Sequence, residues 1–547
     1  MTEPIKMIEI FSGIGAQAKA LNQLLIPHEV VATLDIEKDA ILSYASIRYD
    51  IEKEMATYNF PSKEQMISEL QNKNVGFDFQ KNKHSITMKT NENKVKQYYI
   101  SDKLSKNLGD VSLVKKLPYA DIIVHSSPCQ AFSQAGKGEG GDEGSGTTSS
   151  LMWESLRLIE TSKPKYVLWE NVSAVLSGKH RHNFLKYLER MSELGYENAF
   201  DLLNGKNYGV PQNRLRIFCV SRKIESNDNK IRNIDDMQKS SNKQVESTIK
   251  EIKNNPNIRM WVDYKFPETI PLTTRLKDML EKNVDEKFYL PDERIEKIIN
   301  STFMQEKKRI QMTDICDTLL ARDWKDPKCV PVEEPEVRQI MNVCPTKTRD
   351  NPNQGRVYDV NGIAPTLTKM DGGNREPMVI EQEPFIVASR GRNPENPSDR
   401  TTGAPTEQRL EPNFSGCTNT LTSVAKDNYV AEPIVCEERK DEGIRLFKDD
   451  CVGTLRTIDA CGDKRVLEPA EIRWRIRKLV PVECWKLMAF TREDHDRAAS
   501  YVSNSALYKQ AGNSIIVNVL VALMSSLFIE DGHKAEVWTK YALNPNE

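Results

Sequence analysis

Residues 7–35 read MIEIFSGIGAQAKALNQLLIPHEVVATLD, and the pattern of these residues indicates the architecture of the domain that they open. An apolar run meets a glycine turn, SGIG at residues 12–15, and Ala and Leu then recur at helical spacing. A β-branched run follows and ends in an acid, Asp35. Strand, glycine turn, helix, strand and acid in this order predict a βαβ unit that opens a doubly wound, mostly parallel α/β sheet.

Alternating strands and helices continue beyond this unit. Short apolar runs at residues 122–124 and 166–169 predict two further strands, and residues 151–160 between them have the spacing of a helix. Residues 51–107 interrupt the alternation because they are rich in Lys, Glu and Asn and poor in aliphatic side chains. We therefore expect an inserted helical segment on the surface of the sheet domain.

The composition divides the chain into three parts. The sheet domain is predicted to occupy residues 1–222 and to return at residues 473–547. Residues 223–255 are strongly polar, which is typical of a linker or a solvated helix. Further on, Pro, Gly, Asn, Thr and short β-branched runs predict a second, β-rich domain, so that residues 223–472 comprise a linker and an inserted domain.

Four segments of the inserted domain share a pattern. Each has an Arg and an aliphatic residue, then a Thr-Leu pair, then a polar loop and a valine. The pairs begin at Thr318, Thr366, Thr420 and Thr454, so their spacings of 48, 54 and 34 residues are too irregular for a solenoid. Two interpretations stay open on repetition alone: a recurrent packed hairpin, or a set of alternative recognition loops.

Composition excludes several classes of protein. Of the 547 residues, 38% are hydrophobic, which is enough for a packed core and excludes a wholly disordered chain. The 77 basic and 79 acidic residues exclude a histone-like polycation but leave room for a local basic groove. The ten cysteines form no C-x-x-C pair, so we expect neither a structural zinc site nor another metal site.

Secretion and membrane insertion are not expected. The first residues lack the apolar stretch that a secretory signal requires. The apolar segment at residues 515–529 contains Asn518 and falls short of the ~20 residues needed to cross a bilayer. We therefore expect a cytoplasmic protein.

Chemically reactive residues follow the predicted strands. Cys129, in the sequence SPCQ, comes after the strand at residues 122–124, and Glu170 comes after the strand at residues 166–169. The carboxyl ends of parallel strands are where α/β sheets bind ligands, so a nucleophilic thiol and an acid would meet at one edge. Taken singly, a buried structural thiol and a solvated acid at a strand end also explain them.

Two further features suit a ligand. Arg214 and Arg216 alternate before a strand that starts at residue 217, which places both guanidinium groups on one face, suited to phosphate or base contacts or simply to surface solubility. The glycine turn lacks the full G-x-G-x-x-G pattern and would suit a nucleoside cofactor without a pyrophosphate. Asp35 is placed to accept hydrogen bonds from ribose hydroxyls.

The ordered motifs resemble those of the DNA (cytosine-5) methyltransferase family, in its phage and bacterial form with a large target-recognition domain. They are FSGIG at residues 11–15, PCQ at 128–130, ENV at 170–172, QNRLR at 212–216, RKL at 477–479 with PVEC at 481–484, and QAGNS at 510–514. The resemblance implies a Rossmann-like methyltransferase sheet with an inserted β-rich target-recognition domain. Glu9 and Ile36 depart from the family pattern, which more often has Asp and an aromatic residue at these positions.

The resemblance also implies S-adenosyl-L-methionine as the cofactor and a role for each motif. Cys129 would add to C6 of the cytosine, and Glu170 would bind its N3 edge. The implied catalytic residues are Cys129, Glu170, Asn171, Arg214 and Arg216. The implied cofactor contacts are Phe11, Gly13, Gly15, Asp35, Ile36, Asp110, Pro128, Asn513 and Ser514. The implied DNA contacts are Gln130, Ser133, Thr366, Arg375, Thr420, Thr454, Arg456 and Arg477.

The partner implied by the resemblance is double-stranded DNA, from which the target cytosine would be flipped out. We expect a monomeric enzyme encoded by a bacterium or phage, with a companion restriction endonuclease as a candidate neighbour. A tRNA cytosine-5 methyltransferase is the nearest alternative, although RNA-directed relatives have a small insertion. A non-catalytic DNA-binding protein would have no need of Cys129, Glu170 and Arg216 together. A nicotinamide oxidoreductase would share only the glycine turn.

Overall fold

The computed structural model describes most of residues 3–288, strand segments between residues 339 and 466, and residues 474–543. The gaps before residue 289 are residues 80, 129–140, 146, 226–233, 237–238, 275 and 282. The chain forms two compact units. One comprises Met1–Val284, Ile310–Met378 and Lys478–Glu547, and the other comprises Asp285–Arg309 and Val379–Arg477.

A six-stranded sheet is the frame of the first unit. The strands of this unit are β1 (Ile5–Ile10), β2 (His28–Leu34), β3 (Phe77–Asp78), β4 (Lys83–His84), β5 (Ile122–His125), β6 (Tyr166–Val172), β7 (Tyr196–Asn204), β8 (Leu215–Lys223), β9 (Gln339–Asn342) and β10 (Arg356–Tyr358). The sheet order is β2-β1-β5-β6-β8-β7, with β1, β2, β5 and β6 parallel and β8 antiparallel to both of its neighbours. The prediction of a doubly wound, mostly parallel α/β sheet is confirmed.

Helices surround this sheet, and local sequence explains where they begin. They are α1 (Ala16–Gln23), α2 (Lys38–Arg48), α3 (Ile51–Thr57), α4 (Lys63–Asn72), α5 (Glu92–Leu104), α6 (Leu151–Ser162), α7 (Arg181–Glu193), α8 (Lys243–Ile252), α9 (Pro481–Lys486), α10 (Arg492–Ala499), α11 (Asn504–Asn513), α12 (Val517–Phe528) and α13 (Ala535–Trp538). Helix α4, for example, begins after a capping box in which the side chains of Ser62 and Gln65 bond to each other's backbone amides.

Helix α12 lies in the core of the first unit. It packs against α1, and every residue from Val517 to Ser525 is buried. The segment Asn504–Phe528, which contains α11 and α12, is long and apolar enough in composition to cross a membrane, but 78% of its apolar window is buried within the fold. Packing in the core therefore accounts for its apolar composition.

Residues 51–107, predicted as a helical insertion on the surface, contain α3, α4 and α5. These helices also have a core of their own, shared with α2. Its buried members are Ile41, Leu42, Met66, Ile67, Leu70, Val75, Ile86, Val95, Tyr98 and Tyr99. The segment has few aliphatic residues, but together with α2 they are enough to form this small core.

Residues 223–255, predicted as a linker or a solvated helix, contain α8. Val245, Ile249 and Ile252 recur at helical spacing, are buried, and join the apolar core beneath the sheet. The first unit accordingly continues to Val284 rather than ending near residue 222.

The inserted region is rich in short strands. Those described are β11 (Met378–Gln382), β12 (Phe385–Arg392), β13 (Glu407–Asn413), β14 (Asn428–Ala431), β15 (Val435–Arg439), β16 (Gly443–Phe447), β17 (Lys464–Val466) and β18 (Trp474–Lys478). In the second unit, β12 pairs antiparallel with β13 and β14, and β15 pairs antiparallel with β16 and β17. The four Thr-Leu pairs lie outside the described residues.

Candidate active site

The glycine turn follows β1 in a conformation that its sequence permits. Phe11, Gly13 and Gly15 have φ angles of 58°, 54° and 78°, in the left-handed region that favours glycine. A Cβ on Gly15 would lie 2.3 Å from Nη2 of Arg48, which donates a hydrogen bond to the Gly15 carbonyl at 2.6 Å. A Cβ on Gly13 would meet no described atom within 4 Å. The turn is therefore braced on one side and open on the other.

Glu9 supports this turn from inside β1. Its carboxylate is fully buried and accepts hydrogen bonds from the Ala18 amide at 3.0 Å and the Tyr44 hydroxyl at 2.6 Å. Burial raises the pKa of Glu9. In the sequence, Glu9 stands out only as a departure from the family pattern. The signal that could have identified it as a support is an acid in the middle of an apolar strand.

Asp35 meets the glycine turn across the ends of β1 and β2. Its Oδ2 accepts a hydrogen bond from the Gly13 amide at 2.9 Å, and its Oδ1 accepts one from the Glu37 amide at 2.8 Å. Burial raises the pKa of Asp35 to about 6, although these backbone amides act in the opposite direction. Two residues predicted to contact the cofactor, Gly13 and Asp35, are thus in direct contact.

Asp110 is a further buried carboxylate in this region. Its Oδ1 accepts hydrogen bonds from the amide and the hydroxyl of Ser112, at 2.9 and 2.8 Å. Its Oδ2 accepts one from Nδ2 of Asn74 at 2.8 Å. Asn74 belongs to the 51–107 segment and was not selected from the sequence.

Asn107 links the two carboxylate-bearing segments. Its Oδ1 accepts hydrogen bonds from the Asp35 amide at 2.9 Å and from the Gly109 amide at 3.2 Å. Its Nδ2 donates to the Asp35 carbonyl at 3.0 Å. Ile36 follows Asp35 in the chain, and its carbonyl accepts a hydrogen bond from the Gly76 amide at 2.7 Å. Asp35, Ile36 and Asp110 are thus tied together by the backbone and side chains around them.

Glu170 and Arg216 form an ion pair at the carboxyl end of β6, with 3.2 Å between Oε1 and Nε. They meet because β6 and β8 are antiparallel: Arg216 lies opposite Val172, which is two residues from Glu170 on the same strand. Glu170 is 8% exposed, and its burial raises its pKa while Arg216 and then Arg214 lower it. The result is a buried carboxyl group whose charged form depends on its arginine neighbours.

Asn171 connects β6 to the segment that leads to Cys129. Its Nδ2 donates to the carbonyl and the hydroxyl of Ser127, at 3.2 and 3.3 Å. Pro128 follows and is half-buried. These contacts place the residues just before Cys129 beside the strand that bears Glu170.

Arg214, like Arg216, lowers the pKa of Glu170, but it also makes hydrogen bonds of its own. Its Nη2 donates to the carbonyls of Gly512 and Ser514, at 2.9 and 2.7 Å. Arg214 precedes the first residue of β8, and the expectation that both guanidinium groups lie on one face stays a prediction. Ser514 is buried at the end of α11, whereas Asn513 is exposed.

Several predicted site residues lie outside the described part of the chain. They are Cys129, Gln130, Ser133, Thr366, Arg375, Thr420, Thr454 and Arg456. Arg477 lies in β18, of which only the backbone is described. Among the described residues, no three His, Cys, Asp or Glu side chains are grouped so as to hold a metal ion.

Comparison with known proteins identifies the family. A family model for C-5 cytosine-specific DNA methylase matches residues 62–528. The chain is 36% identical over 293 residues to the type II methyltransferase M2.ScrFI of Lactococcus lactis subsp. cremoris, covering 53% of this chain and 71% of that protein. It is 28% identical over 537 residues to the orphan methyltransferase M.SPRI of Bacillus phage SPR, covering 96% of this chain and 97% of that protein. Among solved structures, S. pombe Dnmt2 methyltransferase has a TM-score of 0.41 and 14% identity, with 97% of this chain and 99% of that chain covered.

The chain therefore belongs to the C-5 cytosine-specific DNA methylase family. More particularly, it is a DNA cytosine-5 methyltransferase, like the bacterial and phage relatives that it resembles over most of its length. The prediction from the ordered motifs is confirmed.

Proposed function

We propose that this chain transfers the methyl group of S-adenosyl-L-methionine to C5 of cytosine in double-stranded DNA through a covalent bond to Cys129. The observation that carries the proposal is the buried Glu170–Arg216 pair on the strand that Asn171 ties to Ser127. An acid in such surroundings can meet one edge of a cytosine while a thiolate from the neighbouring loop meets its ring.

The chain's own residues would move electrons and protons as follows. The Cys129 thiolate forms a bond to C6, and the electron pair of the C5=C6 bond is drawn toward N3, which takes a proton or a hydrogen bond from Glu170. The bound cofactor supplies an electrophilic methyl group, which C5 then accepts. Loss of the C5 proton to water restores the double bond, the S–C6 bond breaks, and N3 returns its proton to Glu170.

Arg216 has a distinct task in this scheme. Burial raises the pKa of Glu170 and so favours its protonated form, while Arg216 orients the group and stabilises its charged form. Glu170 must alternate between a protonated and an ionised state, because it donates a proton to N3 and later takes it back.

The glycine turn and the two aspartates fit a nucleoside cofactor. The open side of Gly13 leaves room at the end of β1, Asp35 offers a carboxylate for ribose hydroxyls, and Asp110 offers one for an amine. Phe11, Gly15, Ile36, Pro128, Asn513 and Ser514 complete the proposed set.

Double-stranded DNA is the proposed partner, with the target cytosine flipped out of the stack so that the thiolate can reach C6. Gln130, Ser133, Arg477 and the Thr-Leu loops are the proposed contacts. Several relatives are named orphan methyltransferases, which supports action without a companion endonuclease. The bacterial and phage sources of the relatives support the proposed cytoplasmic location. The monomeric state stays a prediction. The family model that matches the chain is that of C-5 cytosine-specific DNA methylases, so we set aside the alternative of a tRNA cytosine-5 methyltransferase.

Bisulfite sequencing of DNA from a host that expresses the chain tests the activity and reveals its target. We expect methylated cytosines in a defined sequence for the parent and for Cys219→Ala, since Cys219 is fully buried and burial raises the pKa of its thiol to about 12. Cys129→Ser should give none, because a hydroxyl ionises far less than a thiol.

A duplex that carries 5-fluorocytosine tests the covalent step separately. Fluorine cannot leave as a proton, so the parent and Cys219→Ala should form an adduct that survives denaturant. An equal adduct yield from Cys129→Ser would assign the nucleophile elsewhere.

A further inference from the structure

The turn that ends α4 lies against the Gly109–Asp110 segment. The Asp110 amide donates to the Lys73 carbonyl at 3.0 Å. Gly109 has a φ of 86°, and a Cβ there would lie 2.4 Å from that same carbonyl oxygen. Two residues beyond Asn74, the Gly76 amide donates to the Ile36 carbonyl. The turn thus contacts both segments to which the proposed function assigns the cofactor's nucleoside.

The base of this turn is held in place by charge. Nζ of Lys73 donates to Oδ2 of Asp102 at 2.6 Å and to the Asn107 carbonyl at 2.7 Å. Asp102 is buried and also accepts a hydrogen bond from Nδ2 of Asn107 at 3.0 Å. Asn74 is therefore presented to Asp110 by an anchored backbone rather than by a free loop.

The hydrogen bonds to Asp110 leave a defined place for a ligand. An ionised carboxylate offers about four lone-pair positions, two on each oxygen. Ser112 fills both positions on Oδ1, and Asn74 fills one on Oδ2. Within the described part of the chain, one position on Oδ2 remains, so Asp110 is set to accept a single further N–H donor.

We propose that Asn74 is a positioning residue that fixes the Asp110 carboxylate so that it selects an exocyclic amine, and hence adenine, in the cofactor. The inference rests on the proposed function, which places the cofactor's nucleoside beside Asp110. It also assigns a task to the 51–107 segment, which supplies one wall of the cofactor site.

The test compares two ligands by calorimetry: S-adenosylhomocysteine, and S-inosylhomocysteine, in which a carbonyl replaces the amine. Asn74→Gly removes the amide without straining the backbone, because Asn74 has a φ of 57°. The parent should prefer the adenosine ligand, and this preference should fall by about tenfold in Asn74→Gly, since a mobile carboxylate no longer enforces the choice of donor.

Gln71→Ala is the matched control. Nε2 of Gln71 donates to the Ile86 carbonyl at 2.9 Å, so the variant also removes an amide hydrogen bond near the end of α4, but one that does not reach Asp110. Its preference for the adenosine ligand should equal the parent's. Melting curves by circular dichroism should show all variants folded.

Asn74→Asp provides a second variant should Asn74→Gly not fold. It retains the shape and tolerates the left-handed backbone, but it turns the donor into a like charge beside Asp110 and should also lower the preference. Suppose that the parent prefers the adenosine ligand and that the preference of both Asn74 variants lies within about twofold of the parent's. The inference about Asn74 is then overturned, while the proposed function stands. If the parent binds neither ligand, the proposed function fails and the inference fails with it.

Discussion

At the scale of single residues, the site is a set of buried polar groups that are each held by a specific partner. Glu170 lies 46 positions before Arg216, and the ion pair exists only because β8 runs back along β6. Removing Arg216 leaves the buried Glu170 carboxyl with Arg214 as a cationic neighbour, so the loss of stability should stay below the about 3–5 kcal/mol typical of breaking a fully buried pair. Variants of Arg216 therefore need a folding control before any loss of activity is assigned to chemistry.

Asp35 makes the affinity for the cofactor depend on pH. Burial raises its pKa from 3.8 to about 6, so ionisation is less favourable in the folded chain than in the unfolded one. Its contribution to stability is accordingly complete below about pH 4 and is lost as the pH rises through about 6. Cofactor binding follows the opposite direction, because ribose hydroxyls donate best to the carboxylate.

We expect the affinity for S-adenosylhomocysteine, measured by calorimetry, to rise between about pH 5 and about pH 7. These limits lie roughly one pH unit below and one pH unit above the pKa of Asp35. Asp35→Asn should bind more weakly at pH 7 and show a flat profile. Asp50→Asn, at the exposed N-cap of α3, should retain the parent's profile. A parent profile without this rise would show that Asp35 does not bind the ligand as a carboxylate.

At the scale of elements, the glycine turn separates two effects of the same substitution. Alanine at a left-handed position costs roughly 1–2 kcal/mol in either case. At Gly15 the added methyl also collides with Arg48 and Tyr44, whereas at Gly13 it meets no atom of the described residues within 4 Å.

We therefore expect Gly15→Ala to lower the thermal midpoint much more than Gly13→Ala. We expect Gly13→Ala, in turn, to lose affinity for S-adenosylhomocysteine while remaining folded, because its methyl group would occupy the proposed ligand side of the turn. Thermal unfolding and calorimetry measure the two losses separately. Equal losses of stability in the two variants would contradict a turn that is braced on one side only.

Local sequence could predict the elements that form the site but not all of their partners. The alternation of strands and helices placed Asp35 and Glu170 at strand ends, because that pattern depends on residues close in sequence. Asn74 escaped prediction because it lies in a polar segment and reaches Asp110 only through the packing of α4 and α5. The hydrogen bonds from Arg214 to the carbonyls of Gly512 and Ser514 escaped prediction as well, because these residues lie 298 and 300 positions further along the chain.

At the scale of the whole molecule, a nearly neutral chain must still hold DNA. The net charge of −2 gives little general attraction, so contacts at particular grooves and loops have to provide both affinity and choice of sequence. The first unit contains the described residues of the proposed active site and is termed the catalytic unit for that reason. Base readout is expected in the inserted region, with its short strands and repeated Thr-Leu pairs. Exchange of loops there should alter the target without altering the cofactor site.

The repeats make this expectation testable. The resemblance to the family predicts that loop 456–464, after Thr454-Leu455, reads bases. Loop 368–375, after Thr366-Leu367, has two glycines in its sequence, which would allow close approach to a groove, and Arg375, which would pair with guanine. If the units are separate readers, replacing one loop with a Gly/Ser segment should remove one methylated sequence from the genome-wide map and leave the others. Affinity for S-adenosylhomocysteine should match the parent's in each variant, which shows that the catalytic unit is intact. A uniform loss of a single shared sequence in every variant would instead mean that the repeats pack into one recognition surface.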